Sequence, residues 1–382
     1  MSGGGSERRM VDLLQRLDRA QFAPELYLAY QSGELLAEIP ADVPIHAFAD
    51  ESKPPRFWHR MAQKTKLLSE ARMHHLRGVL RNRHYDLIFA WGLRRAYETA
   101  LPAWSTGTPR VVYCVQDPRQ EVRLDFPFRS PWRWAVAGWS YRTADRIFAN
   151  SLDLCRRVEA CYRLPASSVE LLVNLRDFAK LDELAAAPAP AWPATGFRLL
   201  TVGRLHEQKG HDLLLEAMSQ LVHQQHRDIQ LVICGQGPLE SALRDQARRL
   251  QLENRVLFAG YVANPSPYYR SADVFVLPSR WEGSPNTLIE ALALGTPAVA
   301  VDCPTGPREI LDDGRHGTLV APNDAGALVH AIAAMLDDLP AAQNRAAAAQ
   351  AVIRAKYDLE TGLRQFEARL LAVIHDSHRS SP

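Results

Sequence analysis

Cysteine is scarce and scattered: five in 382 residues, Cys114, Cys155, Cys161, Cys234 and Cys303, with no C-x-x-C pair. An odd, dispersed set excludes a disulfide framework and a cysteine-built zinc site, and fits reduced, buried thiols in a cytosolic protein. Long apolar runs are missing too; none approaches the roughly 18–20 residues that a transmembrane helix needs. The opening MSGGGSERRMVDLL lacks the features of a signal peptide. The expectation is a cytoplasmic protein, at most peripheral to a membrane. Neither sign of charge dominates: 45 Lys and Arg against 43 Asp and Glu leave a net +2, which by itself predicts no partner. There is no D-x-D pair to hold a metal, and the thirteen histidines show no H-E-x-x-H spacing. No internal repeat and no nucleic-acid module is found.

What is present is globular: 47% hydrophobic and 23% charged residues in a chain long enough for two domains. Charge is divided unevenly. Residues 1–190 hold 27 Lys and Arg against 22 Asp and Glu, and residues 191–382 hold 18 against 21. The Arg-rich first half suits an anionic partner such as a phosphorylated acceptor or a membrane surface, or is simply a solvated face. In the second half, FRLLTVG (197–203), IQLVICG (229–235), RVLFAG (255–260), ADVFVLPS (272–279), PAVAV (297–301) and GTLVAP (317–322) alternate with helical segments. Strands apolar throughout, separated by helices, predict a parallel sheet covered on both faces. The first half repeats the grammar with DLIFAWG (86–92), RVVYCVQD (110–117), DRIFANS (145–151) and VELLVN (169–174). AAAPAPAWPATG (185–196) reads as a semi-stiff linker, and ETGLRQFEARLLAVIHD (360–376) as a further amphipathic helix. The expected division is a domain at 1–178, a linker at 179–197, a second domain at 198–358 and a C-terminal helix and tail at 359–382. Two doubly wound α/β domains facing across a cleft place a ligand site in that cleft.

The segment SRWEGSPNTLIEALALGTPAVAVDCPTGPREI (279–310) carries the chemistry. Ser284 and Pro285 read as N-cap and first position of a helix, because proline lacks only an N–H that would be unused there. The free N–H groups of Asn286, Thr287 and Leu288 then form an anion site with the positive end of the helix dipole behind them. Glu290, in the second turn, leans back toward that terminus and suits the vicinal hydroxyls of a ribose. Glu282, in the loop before the cap, faces whatever hangs from the distal phosphate. Upstream, TVGRLHEQKGHDLLLEA (201–217) places Arg204 just past a strand and Lys209 at the next helix, both positioned for one diphosphate. Each alone reads as a surface cation; together with the helix terminus they read as a clamp.

These residues carry a resemblance. Arg204-x4-Lys209, GQGPL (235–239), FAGYV (258–262) and Glu282-x7-Glu290 followed by GTPAVA resemble the retaining glycosyltransferases of family four, which have the GT-B fold. DCPTGPREIL (302–311) is similar to a bacterial branch that builds surface polysaccharides, lipopolysaccharide and lipid-linked oligosaccharides, mostly from UDP-sugars. The resemblance implies that Arg204 and Lys209 bind the donor diphosphate and stabilise it as it leaves. Glu290 would hold the ribose and Glu282 the sugar hydroxyls, with the backbone of Gly283 to Thr287 around sugar and phosphate and the segment at Val262 lining the base pocket. Attack on the same face, with the leaving phosphate helping to deprotonate the acceptor, needs no metal and no cofactor beyond the nucleotide-sugar. The implied partners are that donor and a glycan or lipid-linked glycan acceptor, with peripheral contact to an anionic inner membrane on its cytoplasmic face.

Two departures fall in the first half. Family members open with a β-strand before a glycine turn, whereas here Gly4 and Gly5 match the turn with nothing ahead of them. A domain without its first, central strand has unpaired neighbours, and a start further upstream is the favoured explanation. On the acceptor side many relatives carry a histidine where this chain has Gln116-Asp117 and Trp91-Gly92. Glutamine can bond a hydroxyl but not relay a proton. FPFRSPWRWAVAGWSYR (126–142) interleaves three tryptophans with arginine, as a membrane-interfacial segment does and as an aromatic core helix does. GQGP lacks the third glycine of a dinucleotide fingerprint, and His206 and His211 read as surface-loop residues flanking Lys209. The reading is a hexosyl- or N-acetylhexosaminyltransferase. Its rivals are a non-catalytic nucleotide-sugar-binding subunit and a GT-B epimerase acting on the UDP-sugar itself. Lys209→Ala is expected to abolish transfer without cost to the fold, as for any surface cation.

Overall fold

The computed structural model describes residues 5–50, 68–125, 132–188, 191–193 and 195–380. The chain divides into two compact units: residues 1–150, 155–172 and 361–382 form the first, and residues 151–154 and 173–360 the second.

In the first unit the order is α1 (Gly5–Arg16), β1 (Leu26–Gln31), β2 (Ile45–Asp50), α2 (Leu68–Asn82), β3 (Ile88–Trp91), α3 (Leu93–Thr106), β4 (Arg110–Cys114), α4 (Pro118–Asp125), α5 (Trp132–Arg142), β5 (Arg146–Ala149), α6 (Leu152–Tyr162) and β6 (Val169–Leu171). The strands form two separate parallel sheets, β1-β2 and β3-β4-β5-β6. All four strands anticipated in this half are present; β1 and β2 were not anticipated. β1 and β3 are not paired with each other, so among the described residues the strands of this unit stand in two sheets. Gly4 lies outside the described residues, and Gly5 is the first residue of α1.

The second unit runs α7 (Phe178–Ala185), β7 (Phe197–Val202), a 3-10 turn (Glu207–Lys209), α8 (His211–Ser219), β8 (Ile229–Cys234), α9 (Glu240–Arg249), β9 (Val256–Gly260), α10 (Ser266–Ser271), β10 (Val274–Leu277), α11 (Asn286–Ala293), β11 (Ala298–Val301), α12 (Pro307–Ile310), β12 (Thr318–Val320), α13 (Ala325–Asp337) and α14 (Leu339–Tyr357). Its sheet has the order β12-β11-β10-β7-β8-β9, and every pair is parallel. This is the doubly wound order, with the chain stepping outward on one side of β7 and then returning to build the other. Consecutive side chains on a strand point to opposite faces, so a sheet covered on both sides is apolar at most positions on both of them. The cores bear this out: Leu199, Ile233 and Val276 lie in one buried cluster and their neighbours Leu200, Val232 and Leu277 in the other.

The boundaries depart from those expected at two places. The last helix, α15 (Leu359–Ser380), belongs to the first unit from Thr361 onward. Its Phe366, Leu370 and Val373, spaced at i, i+4 and i+7, are buried with Val111, Tyr113 and Phe148. The segment read as a linker is also built into the second unit. Ala185 is buried, Leu181 packs against that unit's core, and Trp192 donates from Nε1 to Ser271 Oγ (3.2 Å) with its ring edge-on to Tyr268. One partly buried indole with a hydrogen-bond partner outweighs a Pro/Ala-rich context.

Candidate active site

The switch point of the second sheet lies between β7 and β10, which are hydrogen-bonded neighbours although 71 residues lie between Val202 and Val274 in the sequence. Helices leaving adjacent strands toward opposite faces open a crevice at the carboxyl ends, here just after Val202 and Leu277. Both loops carrying the predicted residues emerge at this point.

The loop after β7 is pressed against the end of β10. Gly210 has φ +64, and a Cβ built on it would lie 2.1 Å from the carbonyl oxygen of Pro278, so only glycine permits the approach. The two loops are then stitched together. The Arg280 N–H donates to Gln208 O (2.8 Å), and Gln208 Nε2 donates to Trp281 O (2.9 Å). The Arg280 guanidinium forks onto Asp212 (2.8 and 2.6 Å) and also reaches Glu207 O (2.9 Å). The product of this stitching is a contact across 73 residues: Lys209 Nζ donates to Glu282 Oε1 at 2.6 Å. Side-chain exposure is 17% for Lys209 and 7% for Glu282, so the pair is largely withdrawn from water. That corrects the expectation of a dispensable surface cation. Removing Lys209 leaves a buried carboxylate uncompensated, which costs about 3–5 kcal/mol.

A third loop supports the second from the DCPTGP motif. Thr305 donates from Oγ1 to Glu282 O. Gly306 has φ +92, and a Cβ there would meet Pro285 Cδ at 2.7 Å and Gly283 O at 2.8 Å. Asn174, buried and just past β6, donates from Nδ2 to Ser284 O (2.8 Å) and to Asn286 Oδ1 (2.7 Å). Gly283 and Ser284 are thus held from two sides.

The helix start is displaced by one residue. Pro285, at φ −70 and ψ 108, is the N-cap of α11, and Asn286 is the first helical residue. The extended ψ of Pro285 moves the cap off Ser284. Leu288 N–H donates to Pro285 O (3.2 Å) and is therefore not a free donor; the outward N–H groups are those of Asn286 and Thr287. Ser279 Oγ and Thr287 Oγ1 are buried without a hydrogen-bond partner among the described residues. Buried hydroxyls normally find partners, and leaving one unsatisfied costs about 1–3 kcal/mol.

Glu290 lies one turn further along α11. Its Oε1 is 3.4 Å from Arg176 Nη2, and its Oε2 accepts from Tyr269 OH at 3.4 Å. Burial pushes its carboxyl above the ordinary carboxylate value, a rise that Arg176 and the Tyr269 hydroxyl oppose but do not cancel. Both contacts are long, so the carboxylate keeps acceptor capacity for vicinal hydroxyls. Arg204 is exposed, just beyond β7, and makes no ion pair among the described residues. Val262 follows β9 and packs partly buried against the core.

The flanking histidines differ from their surface reading in one case. His206 Nδ1 accepts from Gln208 N–H (3.2 Å) and caps the 3-10 turn. His211 is buried, neither ring nitrogen has a partner among the described residues, and burial beside Lys209 pushes its pKa down to about 4. It is therefore neutral at physiological pH.

In the first unit the residues assigned to the acceptor side differ in how far their neighbours engage them. Trp91, at the end of β3, sits edge-on to Tyr113 (4.8 Å) with the Arg9 guanidinium 5.3 Å from its ring centre. Asp117 is buried, accepts from the Arg119 N–H (2.8 Å) and pairs with Arg157 (2.9 Å). Those bonds order the start of α4 and occupy both carboxylate oxygens. Gln116, just past β4, is half-buried. Asn174, Arg176 and Tyr269 escaped the sequence reading: none stands in a recognisable motif, and their partners lie 112, 114 and 21 residues away.

Residues 3–179 match the family described as Glycosyltransferase Family 4, and residues 196–338 match that described as Glycosyl transferases group 1. The lipopolysaccharide core biosynthesis mannosyltransferase LpsB of Rhizobium meliloti is 36% identical over 271 residues, covering 68% of this chain and 73% of its own. The N-acetylgalactosamine-N,N'-diacetylbacillosaminyl-diphospho-undecaprenol 4-alpha-N-acetylgalactosaminyltransferase of Campylobacter jejuni is 28% identical over 338 residues, 88% of each chain. Among solved structures, Anabaena HepE in complex with UDP and glucose superposes with a TM-score of 0.73 at 21% identity, covering 97% of this chain and 96% of that one. At that identity the superposition speaks for the fold, which is GT-B. With both halves matched and LpsB alike over two thirds of the sequence, the chain belongs to the family 4 glycosyltransferases and is a glycosyltransferase of glycan biosynthesis.

Proposed function

We propose that the protein transfers a hexose or N-acetylhexosamine, with retention, from a UDP-sugar to a hydroxyl of a growing surface or lipid-linked glycan. The observation that carries the reading is the Lys209–Glu282 pair at the β7–β10 switch point, immediately ahead of the α11 N-terminus. UDP is favoured because HepE was solved with UDP and glucose, and a lipid-linked acceptor because the Campylobacter relative is named for one.

In this reading the diphosphate lies over the N–H groups of Asn286 and Thr287, with Lys209 and the exposed Arg204 as its cations. The unpaired Thr287 hydroxyl is a further donor. Glu290 takes the ribose hydroxyls and the segment at Val262 flanks the base. As the bond from the anomeric carbon to the phosphate oxygen lengthens, negative charge grows on the phosphate and positive charge on the sugar. Fixed cations and backbone dipoles aimed at the phosphate stabilise that separation without reorganising. Glu282 is bound to Lys209 in the free protein and can accept a sugar hydroxyl with its second oxygen, so that donor binding meets an already assembled pair. The acceptor oxygen bonds to the anomeric carbon on the face the phosphate leaves, and the departing phosphate takes the proton of that hydroxyl. Two cations supply the charge that a divalent ion supplies elsewhere, so metal independence is part of the proposal. The acceptor is assigned to the first unit, with Gln116 and Trp91 as its first candidates, and the protein to the cytoplasmic face of the inner membrane.

Titration calorimetry with UDP, GDP and ADP in chelator tests the reading. Selective heat for UDP, lost in Glu290→Ala, is the expected outcome. Equal binding of all three, or none, removes the donor assignment.

A further inference from the structure

A cleft of about 700 Å³ opens on the first unit at the amino ends of its strands, the pole opposite Trp91 and Gln116. It borders Arg110 and Arg146, the first residues of β4 and β5, whereas the acceptor candidates follow the last residues of β3 and β4. Five residues of strand separate the two poles by about 13 Å, so the cleft is not part of the site proposed for transfer. Its size falls within the roughly 300–1,000 Å³ of small-molecule clefts.

Its lining is of two kinds. Leu101 and Trp104, one turn apart on α3, and Trp139 of α5 supply apolar surface. Trp104 is 80% exposed and Leu101 48%, an unusual display of apolar surface beside a cavity. The polar part carries both signs of charge. Arg146 pairs with Asp376 of α15 at 3.1 Å. Arg110 is buried and ties together the Ala96 and Ser140 carbonyls (2.8 and 2.5 Å) and the Thr143 hydroxyl (2.8 Å), while its N–H donates to Asp145 (2.7 Å). Two arginines against two aspartates leave the cleft without a net field, which disfavours a polyanion or an anionic bilayer. A neutral ligand with flat C–H faces for the indoles and dense hydroxyls for the Arg146–Asp376 pair fits both halves of this lining. An indole offers such a ligand a rigid apolar face at low entropic cost.

We propose that this cleft is a second glycan-binding site, which holds a stretch of neutral oligosaccharide away from the transfer site. The choice of a glycan over other polyhydroxyl compounds rests on the family's activity and not on the identity of the nucleotide. Affinity electrophoresis of the full chain through native gels cast with dextran, glycogen or galactomannan is the test. Retardation by at least one polysaccharide is expected, weakened fivefold or more in Trp104→Ala and largely kept in Trp104→Tyr. UDP titration of the same variants should be unchanged, which separates failure here from failure of the donor reading. Because the indole is exposed, the variants fold, and circular dichroism melts verify this. Absence of retardation in all three gels, or equal retardation of Trp104→Ala, overturns the proposal. So does flotation with phosphatidylethanolamine–phosphatidylglycerol vesicles that disappears in Trp104→Ala, since the indole would then belong to a bilayer contact.

Discussion

Lys209 and Glu282 are legible one by one in the sequence, but their 2.6 Å contact is not, and that contact changes what a substitution does. Lys209→Ala removes a cation and leaves a carboxylate stranded, so it is expected to lower stability by about 3 kcal/mol as well as to abolish transfer. Adding Glu282→Gln should restore most of the stability and none of the activity; urea unfolding of the single and double variants reads the coupling. Glu290 supports a pH prediction. Its carboxyl is held above the ordinary value by burial, so the free protein takes up that proton at a higher pH than an exposed glutamate would. The raised value means that Glu290 destabilises the fold when ionised, a cost relieved as pH falls through it. Ribose hydroxyls donate to the ionised form, so nucleotide affinity should fall with pH, starting above the usual glutamate range. Calorimetry between pH 7 and pH 5 should show this decline, and Glu290→Gln should bind weakly and keep only the shallower slope that protonation of the terminal phosphate of UDP itself produces.

At the scale of elements, strands β7 to β12 were readable because a strand buried on both faces is a nearly continuous apolar run. β1 and β2 were not: LYLAYQ and IHAFAD each end on a polar residue, include tyrosine or histidine inside, and form a separate two-stranded sheet. The start of α11 was placed one residue early, since Ser-Pro satisfies the cap pattern equally well in two registers and only the ψ of Pro285 decides. The three loops at the switch point depend on glycines at forced positions. Gly306→Ala puts a methyl group 2.7 Å from Pro285 Cδ at a φ of +92. A cost of about 2 kcal/mol is expected, a melting shift of roughly 4–8 °C for a domain of this size. UDP affinity should fall with it, because Gly283 and Pro285 must move. A variant that melts normally and binds UDP normally would show that this loop contact does not shape the site.

At the scale of the whole molecule, the last helix is the element whose place was least predictable. It reads as one more amphipathic helix after the second domain, yet Phe366, Leu370 and Val373 complete the core of the first. Burying three such side chains is worth about 5–9 kcal/mol, comparable to the full stability of a domain. A chain ending at Glu360 should therefore lose protection in β3 to β5 by hydrogen exchange while β7 to β12 stay protected. Equal protection in both would mean the helix is dispensable. What the sequence by itself determined is what depends on local pattern. Apolar strands alternating with helices specify a doubly wound sheet, and glycines, prolines and charged residues at fixed spacing mark where its ligand loops are. The tertiary structure alone decided which distant groups meet: Lys209 with Glu282, Asn174 with Ser284, Arg176 with Glu290, Asp117 with Arg157 and the last helix with the first sheet. Periodicity and capping act over a turn or two of chain, whereas ion pairing and burial depend on distance in space, which only the folded chain sets.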